Sequence, residues 1–307
     1  EIRLSLVGSE MCIRDRSNVG QLNNKGVELE LRTINFATPH FNWSTVLNLS
    51  HNSNKIISLN GQLEQSIEGT WFIHKVGLPY HTFYVKEFAG VDPQNGDALY
   101  YTNTLNKDGS YSREITNDIS KAQAIPYKSV NPKISGGLTN ILNYKQLDLS
   151  FTLTYSLGGY SFDKLGTYIE NGSSSIYSSR YNLPAYMMNR WQKPGDEVYT
   201  NIPGLPTWPI EIGWTLPNTD SAESAIEMWE KSDAMVVSGS FLRCRNIGLS
   251  WQMKKEWCDK IHAKNLAINF NMDNIFVIAS KRFNGFDPEL ENSIMPRSFS
   301  LGLNIGF

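Results

Sequence analysis

The sequence is poor in charge. Lysine, arginine, aspartate and glutamate make up only 19% of its 307 residues and nearly cancel, to a formal net charge of −2. That balance excludes a basic field able to hold a nucleic-acid backbone, and it offers no polybasic patch for a membrane surface. Long apolar runs are also missing. None approaches the ~18 residues of a membrane-spanning helix, which excludes helical insertion but not membrane strands, whose only signal is alternation. The three cysteines, Cys12, Cys244 and Cys258, form no C-x-x-C pair, so neither a disulfide framework nor a zinc site is expected. The five histidines, His40, His51, His74, His81 and His262, fall in no H-E-x-x-H or H-x-x-E-H arrangement. There is no G-x-S-x-G elbow and no phosphate-binding G-x-x-x-x-G-K-[ST] loop. The sequence is read as that of a non-enzyme with no cofactor.

What is present is alternation with period two. In FNWSTVLNLS, Phe41, Trp43, Thr45, Leu47 and Leu49 share one face, and Asn42, Ser44, Val46, Asn48 and Ser50 the other. LDLSFTLTYSL sets Leu147, Leu149, Phe151, Leu153, Tyr155 and Leu157 against Asp148, Ser150, Thr152, Thr154 and Ser156. LAINFNM sets Leu266, Ile268, Phe270 and Met272 against Ala267, Asn269 and Asn271. SFSLGLNIGF sets Phe299, Leu301, Leu303, Ile305 and Phe307 against Ser300, Gly302, Asn304 and Gly306. Successive strand side chains point to opposite faces, so each segment has one apolar and one polar side. KGVELELRT, SGGLTNILNY and SFLRCRNIGLSWQM read as further strands. In the last, Arg243 and Arg245 fall in phase with Ile247, Leu249 and Trp251, which calls for a bulge or for arginines beyond the apolar band. Helical periodicity is weak, and residues 221–232 are the best short candidate.

Short turns (NYKQLD, and the longer KEWCDKIHAKN) alternate with long connections near residues 53–95, 102–132 and 158–239. Such alternation is the habit of outer-membrane barrels. A soluble β-sandwich also alternates, but its outward face carries Lys, Glu and Thr. Here the polar face is mostly Ser, Thr, Asn and Gly, which suits a hydrated lumen. Aromatic residues near strand ends (Phe41, Trp43, Tyr144, Tyr155, Trp251, Phe307) suit interfacial girdles. Pattern alone leaves barrel and sandwich both open.

The two termini carry separate signals. LVGSEMCIRD matches a one-frame translation of a transposase adapter used to prepare sequencing libraries. Residues 1–16 are therefore set apart, although IRLSLV alternates as a strand would, and residues 17–307 are taken as the native segment. At the other end, Ser300, Gly302, Ile305 and Phe307 fit a polar-x-Gly-x-x-apolar-x-aromatic pattern. It resembles the signal by which the barrel-assembly machinery engages a last strand through β-strand addition.

Five blocks in order carry a family resemblance: NVGQLNNKGVELELRT with FNWSTVLNLSHNSNKIISLNG, EFAGVDPQNGDALYY, NPKISGGLTNILNYKQLDLSF, SGSFLRCRNIGLSW, and NMDNIFVIASKRFNGFDPEL. Together they resemble the late barrel of SusC/RagA-type TonB-dependent outer-membrane transporters, Cys244 being the one departure. The resemblance implies an all-β, antiparallel transmembrane barrel of about 22 strands closed around an N-terminal plug. This chain would supply roughly eight to ten of those strands from the C-terminal part. It further implies active import of an oligosaccharide or a peptide, a SusD-like surface lipoprotein as lid, and energy from the TonB–ExbB–ExbD complex through a region outside this chain. Outer-membrane lipid would surround the barrel. The competing readings are a secreted or surface β-sandwich that binds glycans, and a passive porin.

Site candidates follow. Asn42, Asn48, Asp148, Thr152, Asn269 and Asn271 lie on polar faces and are candidates to line a lumen. Trp191, Trp208, Trp214 and Tyr181 fall in the longest connection, where rings would stack on a sugar, pack a loop core or meet the lid. DPQNGD (residues 92–97) fails the EF-hand register and reads as a turn. FDPELEN (residues 286–292) reads as a solvated loop.

Overall fold

A computed structural model describes residues 20–59, 65–68, 71–162, 185–204, 229, 232–283, 286–290 and 293–307. Residues 1–16 lie outside it, as does all of the 221–232 helix candidate except Trp229 and Ser232.

Seven long strands build the main sheet: β1 (Gly20–Ala37), β2 (Phe41–Leu59), β3 (Ile134–Tyr144), β4 (Leu147–Leu157), β5 (Phe241–Gln252), β6 (Asn265–Ala279) and β7 (Ser298–Gly306). Their order across the sheet is their order in the chain, and each neighbouring pair is antiparallel. Among the described residues the remaining strands are short and pair within the connections, not with the sheet. This meander puts the short connections, 38–40, 145–146 and 253–264, at one rim. The long ones, 60–133, 158–240 and 280–297, emerge at the other. β7 runs back to set Gly306 beside Asn265, so Phe307 ends at the short-turn rim. There the turns are tied together: Lys145 N donates to His40 O (3.0 Å) and Gln252 N to Gln146 O (2.8 Å).

The register converts alternation into continuous rows. Phe36, Trp43, Leu142, Leu149, Leu249, Phe270 and Leu301 lie side by side, one from each strand. One residue along, Asn42, Asn143, Asp148, Ser250, Asn269 and Gly302 form a polar row on the opposite face. A one-residue slip in any strand would exchange its faces, so rows this consistent mean that the register is strongly specified.

Among the described residues, none forms a protein layer over the apolar face. Leu301 is 76% exposed, Leu303 60% and Leu31 48%, and no member of the seven-residue row is buried. Most of the buried apolar residues sit instead in the long connections, where two small clusters form. One holds Ala98, Tyr100, Ala122, Trp229 and Met235, the other Phe83, Val85 and Val236. A sandwich would bury its apolar rows against a second sheet. A transmembrane barrel leaves them to the acyl chains and keeps its protein core outside the membrane.

Two local features break the alternation, the first being the bulge that the phase conflict at Arg243 and Arg245 had offered as one resolution. Register shifts between Thr152 and Leu153, and between Cys244 and Asn246, leave Arg245 without a ladder partner. This bulge resets the phase. Arg243 pairs with Thr154 on the polar face, while Cys244 joins Leu153 on the apolar one. The arginines therefore do not share the face of Ile247. The second feature is Asn140, which lies in register with Thr45 and Phe151 on the apolar side. Its Oδ1 accepts from Trp43 Nε1 (2.9 Å) and Thr45 Oγ1 (2.7 Å), so the polar group enters the apolar surface already partnered.

Leu153→Arg is expected to cost the membrane-inserted protein ~2–4 kcal/mol, since a cation there would face hydrocarbon, whereas Ser150→Arg on the polar face should cost less than ~1 kcal/mol. Denaturant unfolding from detergent micelles or vesicles measures the difference, and equal costs would contradict the assignment of faces.

Candidate functional site

The polar face is a surface of short, mostly uncharged side chains cross-linked between strands. Asn143 Nδ2 donates to Asp148 Oδ1 (2.7 Å), and the hydroxyls of Thr139 and Thr152 meet at 3.1 Å. Asp273 accepts from Asn246 Nδ2 at Oδ1 (2.7 Å) and from Ser298 Oγ at Oδ2 (2.8 Å). The register sets Asn42, Asp148 and Asn269 in one row, Asn271 beside Gly248 and Ser300, Thr152 beside Thr139 and Asn246, and Asn48 beside Glu30 and Gly137. All six polar candidates thus share one face, which presents amides and hydroxyls at strand spacing. Of the C-terminal candidates, Ser300 and Gly302 fall on that polar face, and Ile305 pairs with Leu266 on the apolar one. Phe307 is exposed at the short-turn rim.

Towards the long-connection rim, the polar face carries a charge network. Arg243 is 2% exposed. Its Nη2 reaches both carboxylate oxygens of Asp287 (2.6 Å each), and its Nε reaches Glu289 Oε2 (2.7 Å). Arg245, freed by the bulge, donates from Nη2 to Glu289 Oε1 (3.1 Å). The loop backbone completes the set: Glu289 N donates to Asp287 Oδ1 (2.9 Å), and Asp287 N to Ser293 O (2.9 Å). The network clamps the 280–297 connection onto the polar side of β5. It corrects the sequence expectation of a solvated FDPELEN loop. Asp287 is buried because Arg243 partners it, and the signal lay in the opposed R-x-R and D-P-E blocks rather than in either alone.

In the 60–133 connection, residues 92–97 form the expected turn. Gly96 N donates to Asp92 O (2.9 Å), and Asp92 N to Asp97 O (2.8 Å). Gly96 takes φ 77, and a Cβ there would lie 2.2 Å from the Trp191 ring. Trp191 Nε1 donates to Glu197 Oε2 (3.3 Å), and Gly204 N donates to Gly96 O (2.8 Å). Trp191 is therefore seated on the turn by one side of its ring. Trp208, Trp214 and Tyr181 lie outside the described residues. Among the described residues no cluster of three or more His, Cys, Asp or Glu is arranged to hold a metal ion. Burial pushes the Asp97 carboxyl up, opposed by its hydrogen bond from Asn95. Asp233 is also pushed up by burial, opposed by the backbone N–H of Phe88, which donates to its Oδ1 at 2.8 Å.

No family model matches the chain. It is 25% identical over 322 residues to TonB-dependent receptor P3 of Formosa agariphila, covering 94% of this chain and 29% of that protein. It is 24% identical over 322 residues to TonB-dependent receptor SusC of Bacteroides thetaiotaomicron, covering 98% and 28%. Among solved structures, the RagAB peptide transporter superposes with a TM-score of 0.72 at 22% identity, over 94% of this chain and 30% of the other. The resemblance to SusC/RagA-type transporters thus extends over nearly the whole chain, in sequence and in fold. The chain spans under a third of the length of these curated relatives.

Two outcomes test the geometry. Asp287→Asn should destabilise the protein by up to ~3–5 kcal/mol by leaving the buried Arg243 with Glu289 as its one carboxylate partner, and pairing Asp287→Leu with Arg243→Met should recover most of the loss. Unfolding midpoints of the single and double variants check it. The second concerns Asp233, whose raised folded pKa means that the folded state holds its proton more tightly. Its contribution is greatest below the ordinary value of 3.8 and is lost as pH rises through the folded value. Asp233→Asn should flatten that pH dependence while retaining the Oδ1 acceptor for Phe88 N, and a variant that follows the wild-type pH curve would contradict it.

Proposed function

We propose that residues 17–307 form the C-terminal part of the barrel of a SusC/RagA-type TonB-dependent importer in a bacterial outer membrane, and that residues 1–16 are not part of the native protein. One observation carries the reading: a seven-strand apolar row that no described residue covers, backed by a polar face of amides and hydroxyls. The long connections at one rim and the short turns at the other give the sheet a direction. The long rim faces outside and the short rim faces the periplasm.

In this reading the intact protein takes up an oligosaccharide or a short peptide. SusC is one relative, and RagAB, a structural neighbour, is described as a peptide transporter. Both ligand classes are rich in neutral hydrogen-bonding groups. Asn42, Asn48, Asp148, Thr152, Asn269 and Asn271 would line the path and exchange bonds with the moving solute. Trp191, Trp208, Trp214 and Tyr181 would meet the ligand or a SusD-like lipoprotein lid at the long rim. Energy would come from TonB–ExbB–ExbD acting on a region outside this chain, and no covalent step is assigned to any residue. Ser300, Gly302, Ile305 and Phe307 would form the strand that the assembly machinery engages.

Uptake of labelled oligosaccharides and peptides by the bacterium that carries the gene tests the proposal. Uptake should fall when the gene is deleted, and fall equally when TonB is removed. Loss with the gene but not with TonB would make the barrel a passive porin, and a product recovered from the soluble fraction without detergent would sink the barrel reading. Phe307→Ala in the intact protein should reduce the amount assembled in the outer membrane, read as heat-modifiable protein in membrane fractions.

A further inference from the structure

We propose that the 253–264 connection is a docking surface for the headgroups of anionic phospholipids in the leaflet at the short-turn rim. The proposal rests on the membrane reading above. The connection carries a short helix, α1 (Lys255–Lys260). Its inner side is turned to the protein at Cys258 and Ala263, both buried, and the connection is tied to the sheet by Lys264 N donating to Gly306 O (2.7 Å). Trp257 and Ile261, one turn apart and so on one side, remain 48% and 47% exposed.

Their place in the fold says what covers them. The Trp257 ring meets the Trp251 ring edge-on, with centroids 6.0 Å apart. Trp251 in turn lies in register with Leu147 and Ile268 on the apolar face of the sheet. The lipid-facing surface therefore runs off the strands and onto this helix without a break. An indole at that height has a ring for the acyl boundary and an N–H for the headgroup layer.

Charge points the same way. Lys254, Lys255, Lys260 and Lys264 are all exposed in this connection, against two acids, Glu256 and Asp259. The neighbouring turn, joined through Gln252 N and Gln146 O (2.8 Å), adds Lys145, whose Nζ lies 5.3 Å from the centroid of the Tyr144 ring. Lysine stems can lie along apolar surface while their ammonium groups reach lipid phosphates, which is the chemistry that recognises an anionic headgroup. The near-neutral total had implied that no such patch exists. The patch is local: four lysines cluster within residues 254–264, the fold sets Lys145 beside them, and the rest of the chain offsets their charge.

The test uses the intact protein in vesicles of phosphatidylethanolamine, with either phosphatidylglycerol or phosphatidylcholine added. Insertion is scored first, by the heat-modifiable band; failure to insert would overturn the membrane reading itself. With insertion intact, brominated phosphatidylglycerol should quench wild-type fluorescence more than that of Trp257→Phe. Native mass spectrometry should show preferential retention of phosphatidylglycerol. Replacing Lys254, Lys255, Lys260 and Lys264 together by glutamine should reduce that preference by about tenfold or more while leaving insertion unchanged. Equal retention of the two lipids by the wild type, an unchanged preference in the quadruple variant, or capture of a protein rather than lipid by a photo-reactive group at position 261 would each overturn the proposal.

Discussion

Hydrocarbon offers no partner to a peptide N–H or C=O, and this constraint orders the structure. Each strand that crosses it must be bonded to its neighbours, and the seven-strand meander does this with an antiparallel ladder between every neighbouring pair. Once the backbone is paired, side chains alone decide which face meets lipid. The row from Phe36 to Leu301 and the opposing row from Asn42 to Gly302 are the two results. Asn140 shows how narrow the tolerance is. It enters the apolar side only with Trp43 and Thr45 already donating to its oxygen.

The same constraint explains where the protein is packed conventionally. Hydrophobic association in water acts only outside the bilayer, so the buried clusters around Tyr100, Met235, Phe83 and Val236 lie in the long connections. The Arg243–Asp287 pair belongs there too, clamping a connection to the polar side of the sheet. At the opposite rim the connections are short, and rings and lysines take over. Trp251 and Trp257 continue the apolar surface, and the lysines end it. The two rims therefore differ in kind: one is a folded cap, the other a trimmed edge.

Much of this was legible from residue order. The strands of FNWSTVLNLS, LDLSFTLTYSL, LAINFNM and SFSLGLNIGF appear where alternation put them, because period two and a two-faced sheet are the same fact. The contrast between short turns and long connections was legible too, although 53–95 and 102–132 belong to one connection, 60–133, and the long 280–297 connection was not foreseen. The polar candidates from Asn42 to Asn271 could be listed by face but not placed beside one another, since only register does that. The phase break at Arg245 was recognisable as a conflict that called for a bulge or for arginines beyond the apolar band, and the register chose the bulge. Asp287 was misread as solvated because its partner lies 44 positions away, beyond the reach of any local pattern.

The sequence by itself determined the class of strand, the identity of each face and the alternation of connection lengths, because these follow from the nearest neighbours of each residue along the chain. Only the tertiary structure decided that no described residue covers the apolar face, that Arg243 is buried against Asp287, and that Lys145 is brought to the rim where the lysines flank Trp257. Those outcomes depend on which distant segments the ladders bring to one rim, and cross-strand pairing is a property of the assembled sheet.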